Sequence, residues 1–220
     1  MGLLAELEVY HEPEGRSAAL NMAIDEALLE SARKPILRFY RWRRPALSFG
    51  YFGAFAEVAA EESQRELVRR WTGGGIVLHG DDLTYSLILP KNESSAGTWG
   101  RAVYTWIHQA IREALPVRSN ISLASADAPK ISATCFANAV TADVLADGRK
   151  IAGAAQRRTR AGLLHQGSIQ YQALPPDFPE AFASKLCSVF ARKNYATALL
   201  ARAEEISAEK YATAAWLHRR

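Results

Sequence analysis

Cysteine is scarce in this chain: two residues, Cys135 and Cys187, among 220. Two cannot build a disulfide framework, and their spacing fits no metal site, so no metal is expected. A reduced cytoplasm is the expected setting. No apolar run approaches the ~18 residues of a membrane span. The amino-terminal MGLLAELEVYHEPEG lacks a basic region leading into a long apolar stretch, so no secretory signal is expected. Internal repeats and low-complexity tracts are absent. So are a long basic tract and any known nucleic-acid module, which argues against a nucleic-acid partner. The net charge is only +4, with a sequence pI near 9.1. That mild excess suits an acidic protein partner.

What is present is a large apolar fraction, 49% of residues, enough for a sizeable core and against disorder. Nothing marks a second domain. The expectation is one unit over residues 1–220, helical in its last part from about residue 178. Leu3 to Tyr10 reads as a strand. Ser17 can cap a helix reaching about Ala32, with Leu20, Ile24, Ala27 and Leu28 on one stripe. Asn21 and Asp25 fall on a neighbouring face that reads as solvated. Ile36 to Trp42 alternates apolar and basic residues, as a half-buried strand does, and Ala46 to Gly50 is a second short strand. Glu57 to Glu66 reads as a short amphipathic helix, and Leu83 to Leu89 as a strand. Thr98 to Leu115 repeats apolar residues at helical spacing; His108 lies off that stripe and is expected in solvent. Asn120 to Ile131 has no assignable element and reads as a long, lid-like loop. Asp147-Gly148 is a hairpin signal between strands at Thr141 to Ala146 and Arg149 to Arg157. A further strand runs from Leu163 to Tyr171. Helices follow at Phe182 to Phe190 and Ser207 to His218, with Cys187 a buried small hydrophobe.

Two stretches can carry chemistry. The first is RRWTGGGIVLHGDDLTYS, Arg69 to Ser86. Three consecutive glycines, Gly73 to Gly75, are poor strand or helix residues. They serve a tight turn, or a place where the backbone comes close to something. The segment is not a P-loop, because no Lys-Ser/Thr follows at the required offset. The second is CFANAVTADVLADGRKIAGAAQRRTRAGLLHQGSIQ, from Cys135. Strand alternation puts Lys150, Ala152 and Ala154 on one face. A lysine with only alanines beside it borders space that suits a ligand; a plain exposed lysine at a hairpin start is the alternative. Free cysteines are often inert, yet Cys135 stands in a polar, loop-like setting fifteen residues before Lys150.

Together these stretches resemble the lipoate–protein ligase and octanoyltransferase family, relatives of the biotin ligases. The resemblance rests on RRxTGG…H, on NMAIDEALLE, on LRFYRWRRPALSFGYF, and on GRKIAGAAQRR followed by HQGSI, and covers about Leu3 to Tyr171. HGDDLTYS and the Cys135-Phe136 pair are most similar to the cysteine-dependent octanoyl-[acyl carrier protein]:protein N-octanoyltransferases. Gly75 stands where many of that subgroup have Arg, and Ala139-Val140-Thr141 where they often have Pro-Ser and an aromatic. The resemblance implies an α+β domain with a mixed, largely antiparallel sheet flanked by helices. It implies Cys135 and Lys150 as catalytic residues. Arg70, Gly73, Gly74, Gly75, His79, Tyr85, Gly153, Ala154, His165 and Gly167 are its implied substrate-binding residues.

The implied reaction takes octanoate from octanoyl-acyl carrier protein through a Cys135 thioester. The acceptor is a lysine of a lipoyl domain, on a 2-oxoacid dehydrogenase or the glycine-cleavage H protein. It needs no cofactor, and a monomer is expected. The runner-up is a ligase using ATP and Mg2+, which the GGG loop favours. The roughly fifty residues after Tyr171 disfavour it, since many such ligases carry a further domain. A non-enzymatic acyl-domain scaffold is the third reading. A biotin ligase is the fourth, and the GRGRRG loop is absent.

Overall fold

The computed structural model describes residues 4–91, 100–116, 120–129 and 134–219. The strands are β1 (Glu8–His11), β2 (Ile36–Tyr40), β3 (Ala46–Phe49), β4 (Glu66–Arg69), β5 (Val77–His79), β6 (Leu83–Pro90), β7 (Ile121–Leu123), β8 (Val144–Ala146), β9 (Arg149–Arg158), β10 (Gly162–Ile169) and β11 (Ala191–Lys193). The helices are α1 (Ala18–Ser31), α2 (Arg101–Ala114), α3 (Phe178–Leu186), α4 (Thr197–Ile206) and α5 (Ala214–Leu217). Eight strands form one sheet in the order β11-β1-β2-β6-β10-β9-β8-β7, and β4-β3-β5 form a smaller one. The large sheet is antiparallel from β2 to β7, while β1 runs parallel to both β2 and β11. This is the mixed α+β architecture expected.

Both faces of the large sheet are covered, so β6 and β10 are buried along their whole length. One face packs Leu37, Phe39, Tyr85 and Leu87 against α2 and α3 residues such as Ile111 and Phe182. The other packs Ile36, Tyr40 and Ile88 under α1 and α4. Ser17 caps α1, its Oγ accepting from the Leu20 N–H. Asp147 (φ +48°) and Gly148 (φ +78°) both take positive φ, the two-residue turn that suits the twist of a β8–β9 hairpin. Cys187 is fully buried, as expected.

Several local expectations give way to tertiary packing. Asn21 and Asp25 are not solvated: both are 0% exposed, as is Arg38 on β2. Arg38 donates to Asp25 Oδ1 (2.8 Å), Glu12 Oε1 (2.8 Å), and the Asn21 side chain and carbonyl. The alternation of β2 reads as half-buried because its basic residue serves an internal network. His108 is likewise fully buried, its Nδ1–H donating to the Ala142 carbonyl at 2.7 Å. Residues 55–66 form two single 3₁₀ turns, Phe55–Glu57 and Ala59–Glu61, and then enter β4. The third helix starts earlier than expected, with Pro179 in its first turn and Phe178 buried. The last helical segment begins at Thr197 and is divided by a π turn, Ser207–Tyr211. Within the loop read as unassignable, β7 adds an edge strand; residues 130–133 lie outside the described residues, as do Leu3 and Thr98. Among the described residues, no helix is long and apolar enough to cross a membrane.

Candidate active site

A slot with about 440 Å³ of empty space, partly open to solvent, lies between the two sheets on the α1 side. Its walls come from α1 (Met22), the end of β2 (Tyr40) and Trp42 two residues beyond it, β3 (Ser48), the Gly-rich segment (Arg70, Gly74, Val77, His79), Phe136, β9 (Gly153, Ala154, Ala155) and β10 (Gln166, Gly167, Ser168).

The Gly-rich segment is shaped by what it must pass. Gly74 has φ +88°, a backbone that favours glycine. Its carbonyl would lie 2.1 Å from a Cβ at Gly50, so the two backbones touch where no side chain fits. A Cβ at Gly73 would meet nothing within 4 Å. The two arginines of the RR pair do different work. Arg70 folds back on its own loop, donating to the carbonyls of Gly73 (3.0 Å) and Gly75 (2.8 Å) and to Ser48 Oγ (2.6 Å). Arg69 points the other way, to the carbonyls of Tyr51, Gly53, Trp216, Leu217 and Arg219.

A polar chain lies along one wall of the slot. Ser48 Oγ is 2.6 Å from His79 Nε2, and His79 Nδ1 is 2.8 Å from Asp82 Oδ2. Trp42 stacks on the His79 ring at 4.0 Å, and its Nε1–H donates to Thr84 Oγ1. Burial pushes the His79 imidazole down, and the Asp82 carboxylate only partly offsets it. The neutral ring then donates from Nδ1 to Asp82 and accepts the Ser48 hydroxyl proton at Nε2.

Lys150 marks the other end. Its Nζ is 2.7 Å from Asp143 Oδ2, with Lys150 3% and Asp143 0% exposed in their side chains. Asp143 also accepts from the Tyr104 hydroxyl (2.5 Å) and the Val140 N–H (2.7 Å). Burial, then Asp143, push the Tyr104 hydroxyl far above its usual range, so it stays a proton donor. It accepts in turn from the Ala154 N–H at 3.1 Å, where β8 has already ended. The lysine does not share a face with Ala152 and Ala154. Val144 pairs with Ala152 but Leu145 pairs with Lys150, so β9 carries one extra residue. That bulge breaks the alternation and lays the lysine over Gly153, whose added Cβ would fall 2.4 Å from its Cε.

Cys135 begins a 3₁₀ turn, Cys135–Ala137. Its side chain lies outside the described atoms. The turn is bound to the Gly-rich segment by a bridge between Ile76 and Thr134. Phe136 lines the slot, with Lys150 Nζ 5.4 Å from its ring centre. Sequence and structure thus bring Arg70, Gly74, His79, Gly153, Ala154 and Gly167 together around one space. Lys150 is not among the residues lining it and adjoins it through Gly153 and Phe136. Gly73 and Gly75 contribute the carbonyls that hold Arg70. Tyr85 and His165 do not reach the slot. They lie on the opposite sheet face, paired to each other at 3.0 Å, with Tyr85 filling the room over Gly167. Asp143, Tyr104, Ser48 and Asp82 went unread in the sequence. Asp82 was within reach, three residues beyond His79 beside the glycine turn; Tyr104 could be found only in three dimensions.

His79, His108 and His165 are all held below the usual imidazole range, by burial first; for His108 the value falls to about 4. Neutral in the fold and ionisable near pH 6.5 when unfolded, they stabilise the protein fully above that pH. The contribution is lost as pH falls, for His108 across roughly pH 6.5 to 4. Thermal melts at pH 7.5 and 5.0 should therefore differ. His108 alone is expected to lower the melting point by roughly 4–8 °C. The difference should shrink in His108→Gln. A melting point that stays level over this range would refute the assignment.

The profile of the lipoyl protein ligase A/B catalytic domain family matches residues 17–212. The chain is 38% identical over 177 residues to the octanoyltransferase LipM of Oceanobacillus iheyensis, covering 76% of this chain and 64% of that protein. With the protein of the same name from an Exiguobacterium species it shares 37% over 173 residues, covering 71% and 63%. It thus spans less than two thirds of the length of these relatives. In three dimensions it is similar to a lipoate protein ligase of T. acidophilum with bound lipoic acid, with TM-score 0.77 at 21% identity over 98% of this chain and 99% of that one. A lipoate-protein ligase A bound with ATP gives 0.76 at 19% identity, over the same shares of the two chains. At such identities the likeness speaks for the fold, while the sequence matches speak for descent. The chain belongs to the lipoyl protein ligase A/B catalytic domain family.

Proposed function

We propose that residues 1–220 act as one catalytic unit, a protein N-octanoyltransferase working through a Cys135 thioester. The observation that carries this reading is the buried Lys150 ammonium, held by Asp143 over Gly153 and against Phe136, the residue following Cys135. Relatives named octanoyltransferase, at 34–38% identity, support the same reading. In the first step the Cys135 thiolate attacks the carbonyl carbon of octanoyl-acyl carrier protein. A C–S bond forms, the carrier's thiolate leaves and takes up a proton. Lys150 stabilises the attacking thiolate and donates to the oxygen on which charge develops. In the second step the ε-amine of a lysine on a lipoyl domain or the H protein, having lost a proton, attacks the octanoyl-enzyme. The amide forms as its nitrogen releases a second proton to solvent, and the Cys135 thiolate leaves. Exchanging a thioester for an amide is downhill, so the reading requires no ATP. The apolar walls of the slot take the acyl chain, with Arg70, Gly74, His79, Gly153, Ala154 and Gly167 around it.

Intact-mass spectrometry after mixing the protein with octanoyl-acyl carrier protein, without ATP, tests this. The expected result is one octanoyl adduct, removed by hydroxylamine and absent in Cys135→Ser. No adduct, but octanoylation of a lipoyl domain from free octanoate once ATP and Mg2+ are supplied, would make the protein a ligase and Cys135 a bystander.

A further inference from the structure

Phe52 is 88% exposed, the most exposed large apolar side chain among the described residues. It is not on a loose loop. It occupies a tight turn closed by the Gly53 N–H donating to the Gly50 carbonyl at 2.9 Å. The Tyr51 N–H donates to the Thr72 carbonyl, tying the turn to the Gly-rich segment. Gly50, at the turn's base, is the residue pressed against Gly74 at the slot. Arg69, buried beneath, holds the carbonyls of Tyr51 and Gly53. The same guanidinium holds the Leu217 and Arg219 carbonyls. It therefore fixes an exposed aromatic and an exposed arginine relative to each other. The Tyr51 ring joins them: Phe52 meets it edge-on at 5.0 Å, Arg219 sits 4.4 Å and Arg157 4.9 Å from its centre. Neither arginine forms an ion pair with a carboxylate among the described residues.

We infer that this turn, with Phe52 flanked by Arg157 and Arg219, is the docking surface for the acidic, lysine-bearing acceptor domain. The inference rests on the acyl-transfer reading above. A rigid aromatic beside arginines is the composition of an interface anchor, and its pre-set geometry leaves little to order on binding. Cations with no carboxylate partner among the described residues select an acidic face. Reach distinguishes acceptor from donor. A lysine side chain is four carbons long, so the body of the acceptor must rest at the rim of the slot. A donor that presents its acyl group on a long flexible arm has no such need. The Phe52 turn adjoins the slot through Gly50, which presses on Gly74 of its wall.

The test separates the two half-reactions in Phe52→Ala, Phe52→Asp and Arg219→Glu, all at exposed positions where folding is not at stake. Octanoyl-enzyme formation is read by intact mass, and transfer from the preformed adduct is measured to a lipoyl domain and to a short lysine peptide. The expected result is an unchanged first step and unchanged transfer to the peptide. Transfer to the domain should fall on the order of thirtyfold in kcat/KM. In Arg219→Glu the residual rate should also respond less to salt. Domain transfer equal to wild type, or a first step slowed in parallel, overturns the inference, the latter assigning the surface to the donor. Should wild type form no adduct, the same variants are assayed with ATP and octanoate. A selective loss with the domain then supports the surface although the thioester reading has failed.

Discussion

Asp143→Asn is expected to slow octanoyl-enzyme formation by about 10²–10³-fold while leaving the fold in place. The reason is electrostatic. The Lys150 ammonium is almost fully buried and its carboxylate partner wholly so. Without its counter-charge the buried ammonium is uncompensated and no longer held against Gly153 and Phe136. Asparagine keeps the shape but has one acceptor oxygen, so it can accept from Tyr104 or from the Val140 N–H and not from both, and it cannot hold the charge. Without the cation the attacking thiolate and the developing oxyanion both lose their stabilising partner. Tyr104→Phe removes one hydrogen bond from Asp143 and should cost far less. Single-turnover adduct formation followed by mass, alongside a thermal melt, is the measurement. A variant within about threefold of wild type would mean that Asp143 does not hold Lys150 for the reaction.

Arg38→Ala should lower folding stability by about 3–5 kcal/mol, the largest effect expected of any replacement outside the slot. Arg38 sits between two carboxylates, Glu12 and Asp25, and makes further bonds to Asn21 and to the Tyr195 hydroxyl. Removing it leaves Asp25 buried and uncompensated. Asp25 cannot simply be removed as well, because Ser86, Gln166 and Tyr40 all donate to its Oδ2. Gln166 lines the slot and accepts from Thr72 of the Gly-rich segment, so the damage should also reach octanoyl transfer. Urea titration reads the loss directly. A shift below ~1 kcal/mol would show that water enters and solvates the orphaned carboxylate.

The elements whose pattern depends on near neighbours were legible. The Ser17 cap, the Asp147-Gly148 turn and the apolar stripe of α2 state local geometry, and the structure has them where the chain implies. The Gly-rich segment and the Gly-Arg-Lys strand were legible as a pair, and they do border one slot. What failed has a common cause. Asn21, Asp25, Arg38 and His108 were placed in or near solvent because polar residues usually lie there. Each is instead bonded to a partner distant in sequence, Arg38 to Asp25 and Glu12, and His108 through Nδ1 to the Ala142 carbonyl. Tyr85 and His165 were assigned to the slot by resemblance, yet their sheet face turns them toward α2 and α3. Lys150 shows the reverse case. It lies beside two residues of the slot wall, Gly153 and Phe136, but the alternation used to argue for it was wrong, because a bulge intervenes.

That bulge keeps two successive side chains, Ile151 and Ala152, on the α2 face at once, with Lys150 and Gly153 on the other. Were the same sequence to pair one residue against one, Lys150 would share the face of Ala152 and project to the α2 side, away from the slot. Deleting Ile151 instead removes the extra residue and leaves Lys150 opposite in face to Ala152, still toward the slot, with the ladder to β10 whole. A chain one residue shorter there would thus keep its lysine in place, and the pairing register, rather than the identity of residue 151, is the functional trait.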